Sequence, residues 1–301
     1  MFQSKVLLIG FGSIGRKHYK ILKKLINIKN IKILTTQKKI KNILINFEAI
    51  KLYNPDIIII ASTTDKHFQH LKYVNSILKN KIILVEKPLF HKPINLKNIQ
   101  NKIFVGYNLR FHPIIQFIKK TINKNKILSS EIHCSSYLPD WRNRPFKYTS
   151  SFSKKLSGGI LNELSHEIDY ARYLYGNLSK INVLTKKNSN LKITSADYAN
   201  ITLKSLDGAI ININLNYYSK LTKRFIILDT NKLSLYADLI NGFVSIKNKN
   251  GKSSKKYFLI DKDFTYKEQL KALLRKDFRF LCQYKDGLET VKKIKIFMKK
   301  K

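Results

Sequence analysis

Five short, almost uninterrupted apolar runs mark the first third of the chain, at residues 6–9, 31–34, 57–61, 82–85 and 103–105. Between them, apolar positions recur every three or four residues, as over 15–25 and 67–78. Continuous apolar runs joined by helices are strands buried on both faces, so the pattern predicts a parallel sheet built of βαβ units. Residues 1–106 are expected to form one doubly wound α/β domain.

After Asn108 the pattern changes. It predicts a helix from 113 to about 121, a strand over 132–137, a loop rich in Pro and Arg, and a helix over 161–174 closed by Gly176. Several strand candidates then follow without intervening helices. Ile211, Ile213, Leu215 and Tyr217 alternate with Asn212, Asn214 and Asn216, the pattern of an antiparallel sheet with one covered face. A last helical stretch spans 265–283, so residues 107–301 read as an α+β domain with a largely antiparallel open sheet. The lysine-rich stretch 292–301 reads as a solvated, fraying helix end. An apolar sheet face left in water is disfavoured at roughly 25 cal/mol per Å², so either the domain's own helices or a second subunit must cover it.

Composition narrows the function classes. A chain of 301 residues with 44% hydrophobic residues has ample core for two globular domains. The net charge of +39 invites a nucleic-acid reading, yet only eight of the 58 cations are arginine and the lysines are spread along the chain. Phosphate readers concentrate Arg, with its bidentate fork, on one patch, so no specific nucleic-acid partner is expected. The chain has only two cysteines, Cys134 and Cys282, and its opening residues run directly into a strand, which reads as a reducing, cytoplasmic setting without a signal peptide. No apolar run approaches the length of a membrane span. No HxxxH, CxxC or Gly-x-Ser-x-Gly spacing occurs, so neither a metal site nor a serine nucleophile is expected.

The strongest chemical signal is Gly10-Phe11-Gly12-Ser13-Ile14-Gly15, placed between the first strand and the first helix. Gly10 permits a tight turn, Gly12 lets backbone approach a pyrophosphate, Gly15 allows close helix-strand packing, and the helix start supplies partial positive charge. In that context the motif predicts a Rossmann domain binding NAD or NADP. About twenty residues on, where an acid would bind the ribose hydroxyls, the chain reads Leu34-Thr35-Thr36-Gln37-Lys38-Lys39. Thr36 and Lys38 there are candidates to hold a 2′-phosphate, which tips the reading slightly toward NADP. Lys87 falls at a parallel strand end, the edge where open α/β sheets place ligands, and Pro88 fixes the turn behind it. Glu163 and His166, three apart on a predicted helix, share a face as a candidate proton-transfer pair, with Asp169 three further on.

Taken in order, Gly10 to Gly15, Val85-Glu86-Lys87-Pro88, Gly106-Tyr107-Asn108-Leu109-Arg110-Phe111, and Gly158-Gly159-Ile160-Leu161-Asn162-Glu163-Leu164-Ser165-His166-Glu167-Ile168-Asp169 resemble the glucose-fructose oxidoreductase / inositol dehydrogenase (Gfo/Idh/MocA) family over essentially the whole chain. The resemblance implies an oxidoreductase that moves a hydride between a nicotinamide cofactor and a hydroxyl or keto group of a sugar. Lys87 and His166 would relay the proton, with Glu163 or, as in inositol-type members, the position of Asn162 as third partner. The run 61–67 resembles the family's Thr-Pro-x-x-x-His turn, with Ser62 and Thr63 departing from Thr-Pro but offering hydroxyls to the cofactor's phosphate or ribose, while His67 reads as a helix cap. Glu86 and Asn108 would lie near the nicotinamide ribose and carboxamide. Arg110, Trp141, Arg142 and Arg144 fall in the stretch expected to face substrate, and Tyr137 to Arg142 resembles members acting on sugars in surface-glycan pathways, nucleotide sugars included. Relatives commonly pair through the second domain's sheet, so a homodimer or homotetramer is implied, with the asparagine face available for polar contacts. The rival reading is a non-catalytic dinucleotide-binding sensor or scaffold.

Overall fold

The fold comes from a computed structural model, which describes residues 2–37, 40, 42–44, 46–141 and 158–298. In chain order the elements begin with β1 (Val6–Ile9), α1 (Ser13–Leu22), β2 (Ile31–Leu34), α2 (Ala49–Tyr53), β3 (Ile57–Ile60), α3 (Thr64–Ile77), β4 (Ile82–Val85) and β5 (Lys102–Val105). They continue with α4 (Pro113–Ile122), β6 (Ile127–Tyr137), α5 (Ile160–Glu163), α6 (Ser165–Tyr175), β7 (Leu178–Lys186), β8 (Tyr198–Ser205), β9 (Ile210–Asn216), β10 (Tyr218–Thr230), β11 (Leu233–Asp238), β12 (Phe243–Asn248) and β13 (Ser253–Tyr257). The last are α7 (Phe264–Arg275), β14 (Cys282–Gln283) and α8 (Tyr284–Phe297).

These elements form two compact units, one from 1–111 with 263–293 and one from 112–262 with 294–301. The first holds a six-stranded sheet in the order β14-β5-β4-β3-β1-β2, parallel throughout except for β14. Its strands are apolar on both faces because both are covered. Leu7 and Ile9 pack with Leu71 and Val74 of α3 and Leu288 and Val291 of α8, while Val6 and Leu8 pack with Ile21 and Leu22 of α1 and Leu270 and Leu273 of α7. Each such fully buried Leu or Ile contributes about 1.5–3 kcal/mol, which is why four-residue strands suffice. The expected boundary at 106/107 differs from these units: residues 263–293 lie with the first, since Cys282 and Gln283 pair antiparallel with Val105 and Phe104 and α7 and α8 supply core to its two faces.

The second unit is an eight-stranded sheet, β13-β12-β11-β10-β6-β9-β8-β7, antiparallel apart from β6 beside β9. Ile211, Ile213, Leu215 and Tyr217 are fully buried, on a sheet whose β6, β8 and β9 contact α5 and α6. The chain's own helices therefore cover the apolar face. The opposite face carries Asn212 and Asn214 and a row of rings: His133 stacks on Phe225 at 4.8 Å, followed by Tyr236, Phe243 and Tyr257 at 5.5, 5.9 and 6.1 Å steps.

Three local expectations are corrected. The helix expected over 161–174 is two, broken at Leu164 (φ −97°, ψ 37°). The one expected over 265–283 stops at Arg275, where Lys276 turns left-handed (φ 57°) and releases the chain for β14. The stretch expected to be solvated from 292 instead buries Ile294 and Phe297 in α8.

Candidate functional site

In the first unit, the loops after β1, β3 and β4 emerge at one edge of the parallel sheet. Gly10 sits at φ 93°, and a Cβ there would fall 2.6 Å from the backbone of Ser62, so only glycine fits between the first and third strand ends. Above Gly12 there is open space to 4 Å. The start of α1 has no side-chain cap and no acidic residue in its first turn, leaving the amides around Ser13, Ile14 and Gly15 to face an anion. This cradle fits a dinucleotide's pyrophosphate.

The neighbouring turns are tied together by buried groups. The His67 ring lies 3.0 Å from the Ser62 carbonyl and 3.1 and 3.2 Å from those of Pro88 and Leu89, and burial lowers its pKa. The expected cap is corrected: Thr63 holds the N-cap position of α3, and His67, a turn further in, clamps the two loops. Ser62 Oγ contacts His70 Nδ1 at 2.9 Å.

After β4 the Lys87–Pro88 bond is cis, and Lys87 is half-buried. Glu86, only 5% exposed, places one carboxylate oxygen 2.7 Å from His18 Nε2, and the other accepts the Lys87 N–H at 3.2 Å. A Cβ on Gly106 would meet that carboxylate at 2.8 Å. Glu86, expected near the nicotinamide ribose, thus also holds the turn that carries Lys87. Asn108 likewise donates to Thr265 Oγ1 at 2.9 Å. Arg110, expected to face substrate, is 4% exposed and pairs with Asp286 at 3.4 Å, so it braces the turn against α8.

At the end of β2, Thr36 is exposed, as is Gln37. Gln37 donates to the Phe11 carbonyl at 3.0 Å and accepts from Arg16 Nη2 at 2.6 Å. Lys38 lies outside the described residues, as do Arg142 and Arg144.

In the second unit, Gly159 (φ 117°) starts α5, Glu163 ends it, and His166 is in the first turn of α6, half-buried. The break at Leu164 removes the single helical face on which Glu163 and His166 were expected to lie. Tyr217 is fully buried; burial and, next, the Glu163 carboxylate push its phenol well above the ordinary tyrosine range. The Trp141 ring meets Tyr217 edge-on at 5.2 Å, and its Nε1 donates to Ser136 Oγ at 2.9 Å. Glu163, Tyr217 and Trp141 therefore form one neighbourhood. Behind His166, fully buried Glu167 accepts from Arg224 Nε at 2.8 Å, anchoring α6 to β10. Burial pushes the adjoining Cys134 thiol up to about 12, leaving it a structural side chain.

Sequence reasoning missed His18, Arg16, Tyr217 and the Glu167–Arg224 pair. A signal existed for His18: with Gly15, Ile21 and Leu22 it shares the buried stripe of α1, and a polar residue in such a stripe needs a partner.

A Rossmann-type unit with an open anion cradle, joined in sequence to an α+β unit with one bare sheet face, defines the class. Residues 125–234 match the model of the GFO/IDH/MocA C-terminal domain. Over those residues the chain is similar to the GFO/IDH/MocA family. It is 30% identical over 143 residues to levoglucosan dehydrogenase of Pseudarthrobacter phenanthrenivorans, covering 44% of this chain and 36% of that protein. The alignments span about a third of the length of the curated relatives they match. Among solved structures, UDP-N-acetylglucosamine 3-dehydrogenase GnnA from Acidithiobacillus ferrooxidans superposes with a TM-score of 0.80 at 14% identity, covering 99% of this chain and 97% of that one. Levoglucosan dehydrogenase in complex with NADH gives 0.81 at 16% identity, covering 97% and 95%. Among the described residues, no helix is long and apolar enough to cross a membrane.

Proposed function

We propose that this chain is a nicotinamide-dependent oxidoreductase acting on a hydroxyl or keto group of a sugar or sugar derivative, nucleotide sugars included. The observation that carries the reading is that the Gly10–Gly15 cradle and Lys87 emerge at the same edge of one parallel sheet, the edge where such sheets hold ligands. The family, and the sugar dehydrogenases similar to this chain, support it.

The bound dinucleotide supplies the hydride acceptor or donor. Gly10 makes the turn that lets Gly12, Ser13, Ile14 and Gly15 hold its pyrophosphate through backbone amides, Ser62 and Thr63 flank it, and Thr36 with Lys38 takes an adenosine 2′-phosphate, which favours NADP. Oxidation of a secondary alcohol releases a hydride from carbon and a proton from oxygen; Lys87 and His166 take that proton, and reduction reverses the path. Glu163 is the acid that keeps company with His166, and Trp141 offers an aromatic face to the sugar, with Arg142 and Arg144 for its anionic groups. The chain works in the cytoplasm as a homodimer or homotetramer, paired through the sheet face that bears the aromatic row and Asn212.

The test is reduction of NAD or NADP with levoglucosan, UDP-N-acetylglucosamine and related sugars. Lys87→Ala and His166→Ala each lower turnover about a hundredfold or more, the loss expected for proton transfer, while dinucleotide affinity persists. Near-normal rates in both variants sink these assignments. Firm dinucleotide binding with no turnover of any sugar favours a sensor or scaffold.

A further inference from the structure

The end of β2 is where this fold chooses between NAD and NADP. An NAD site places a carboxylate there to accept both ribose hydroxyls, and an NADP site replaces it with cations and donors for the 2′-phosphate. In this chain the carboxylate is missing from far more than one position. No Asp or Glu occurs before Glu48, whereas those first 47 residues carry ten lysines and one arginine, Arg16.

Arg16 follows the last glycine of the cradle directly, on α1. Its guanidinium carbon lies 4.7 Å from the centre of the Phe11 ring, and its Nη2 donates to Gln37 Oε1 at 2.6 Å. Gln37 in turn donates to the Phe11 carbonyl at 3.0 Å, and its own N–H reaches Thr35 Oγ1 at 3.2 Å. A closed ring of contacts thus joins the glycine loop to the end of β2 and holds the guanidinium there, over one face of an aromatic ring. A guanidinium has five donors in a plane, and Gln37 occupies one of them. A fork fixed in this way matches a dianionic phosphate with three acceptor oxygens, which a flexible ammonium meets only as a point charge.

We propose that Arg16, aligned by Phe11 and Gln37, reads the 2′-phosphate and makes this chain select NADP over NAD. The inference rests on the reading that the Gly10–Gly15 loop binds a dinucleotide. Arg16 gives the selectivity its charge, and exposed Thr36 adds a hydroxyl.

Calorimetric titration of the full chain with NADPH, NADH and 2′,5′-ADP tests it. The wild type is expected to bind NADPH at least about tenfold tighter than NADH, and Arg16→Gln to lose about tenfold to a hundredfold for NADPH and 2′,5′-ADP, the range of one or two charge-assisted hydrogen bonds. NADH affinity moves less than about threefold, since NADH lacks the 2′-phosphate to which the charge-assisted contact is made. Arg16→Lys, which keeps the charge and loses the fork, falls between wild type and Arg16→Gln. Melting temperature, read on the same samples, stays at the wild-type value because Arg16 is exposed. An equal loss for NADH and NADPH, or no loss for either, overturns the proposal and leaves Arg16 a surface cation packed on Phe11. NADH binding without any preference for NADPH in the wild type overturns it while leaving the dinucleotide reading intact; binding of neither overturns both.

Discussion

Substituting Gly12 and Gly10 one at a time separates binding from folding within a single six-residue loop. Gly12 has φ −72° and ψ −163°, ordinary extended backbone, and an added Cβ would meet nothing within 4 Å. Valine there costs the fold about 1 kcal/mol, the penalty of a branched residue at a helix N-cap. It fills the space a pyrophosphate needs, so dinucleotide affinity falls by about two orders of magnitude or more. Gly10 behaves in the opposite way. Its φ is 93°, and a Cβ would lie 2.6 Å from the N and Cα of Ser62. A left-handed L-residue costs about 1–2 kcal/mol and forced overpacking about 1–3, so Gly10→Ala loses roughly 2–5 kcal/mol. At roughly 2–4 °C per kcal/mol, that lowers the melting temperature by about 5–20 °C. Thermal melts read alongside calorimetric titration with NADH and NADPH distinguish the two variants. The reasoning fails if Gly12→Val binds like wild type, or if it melts as early as Gly10→Ala.

Three further outcomes are expected. Arg224→Met strands the fully buried Glu167 carboxylate and costs about 3 kcal/mol or more, most of which returns when Glu167→Leu is added; a loss below about 1 kcal/mol in urea unfolding refutes the anchoring role. His112, whose Nδ1 accepts the Ile114 N–H while Nε2 donates to the Leu239 carbonyl, is held by burial at a pKa of about 4 against an ordinary 6.5. Its neutral form is the folded one, so stability is full above about pH 6.5 and about 3 kcal/mol drains away as pH falls toward 4. His112→Asn flattens that acid slope, and unchanged slopes count against it. Sedimentation velocity at micromolar concentration, in salt that screens the +39, yields a species of at least twice 35.2 kDa; a single species at the chain mass rules out the assembly.

Both sheets were readable in part because several of their strands are pure signals. The run Ile57–Ile60 has no polar residue to disguise it, and Ile211 to Tyr217 alternates without a lapse. The cradle was equally legible, since a glycine motif between a strand and a helix has few other uses. Side chains whose character depends on partners distant in sequence were not legible. The partners of Glu86 and Arg110 are examples: Glu86 bonds His18, 68 residues earlier, and Arg110 pairs with Asp286, 176 residues later. Tyr217 passed for an apolar residue because alternation records the burial of a ring and is blind to its hydroxyl. The break at Leu164 has no Gly or Pro to announce it, and β14, two residues long, is too short for any periodicity to register.

The return of residues 263–293 to the first sheet sets an order of events during synthesis. When the first 111 residues have left the ribosome, β5 still presents a bare edge to water, and Leu7 and Ile9 on one side and Val6 and Leu8 on the other lack the cover that α8 and α7 bring. Residues 112–262 are continuous and contain all eight strands of their sheet, so they are able to close while the earlier stretch waits. An N-terminal third nascent for that long is exposed to edge-to-edge pairing with other chains. Gly287, packed against Val105 with no room for a side chain, is among the last contacts to form, and its arrival ends that vulnerable interval.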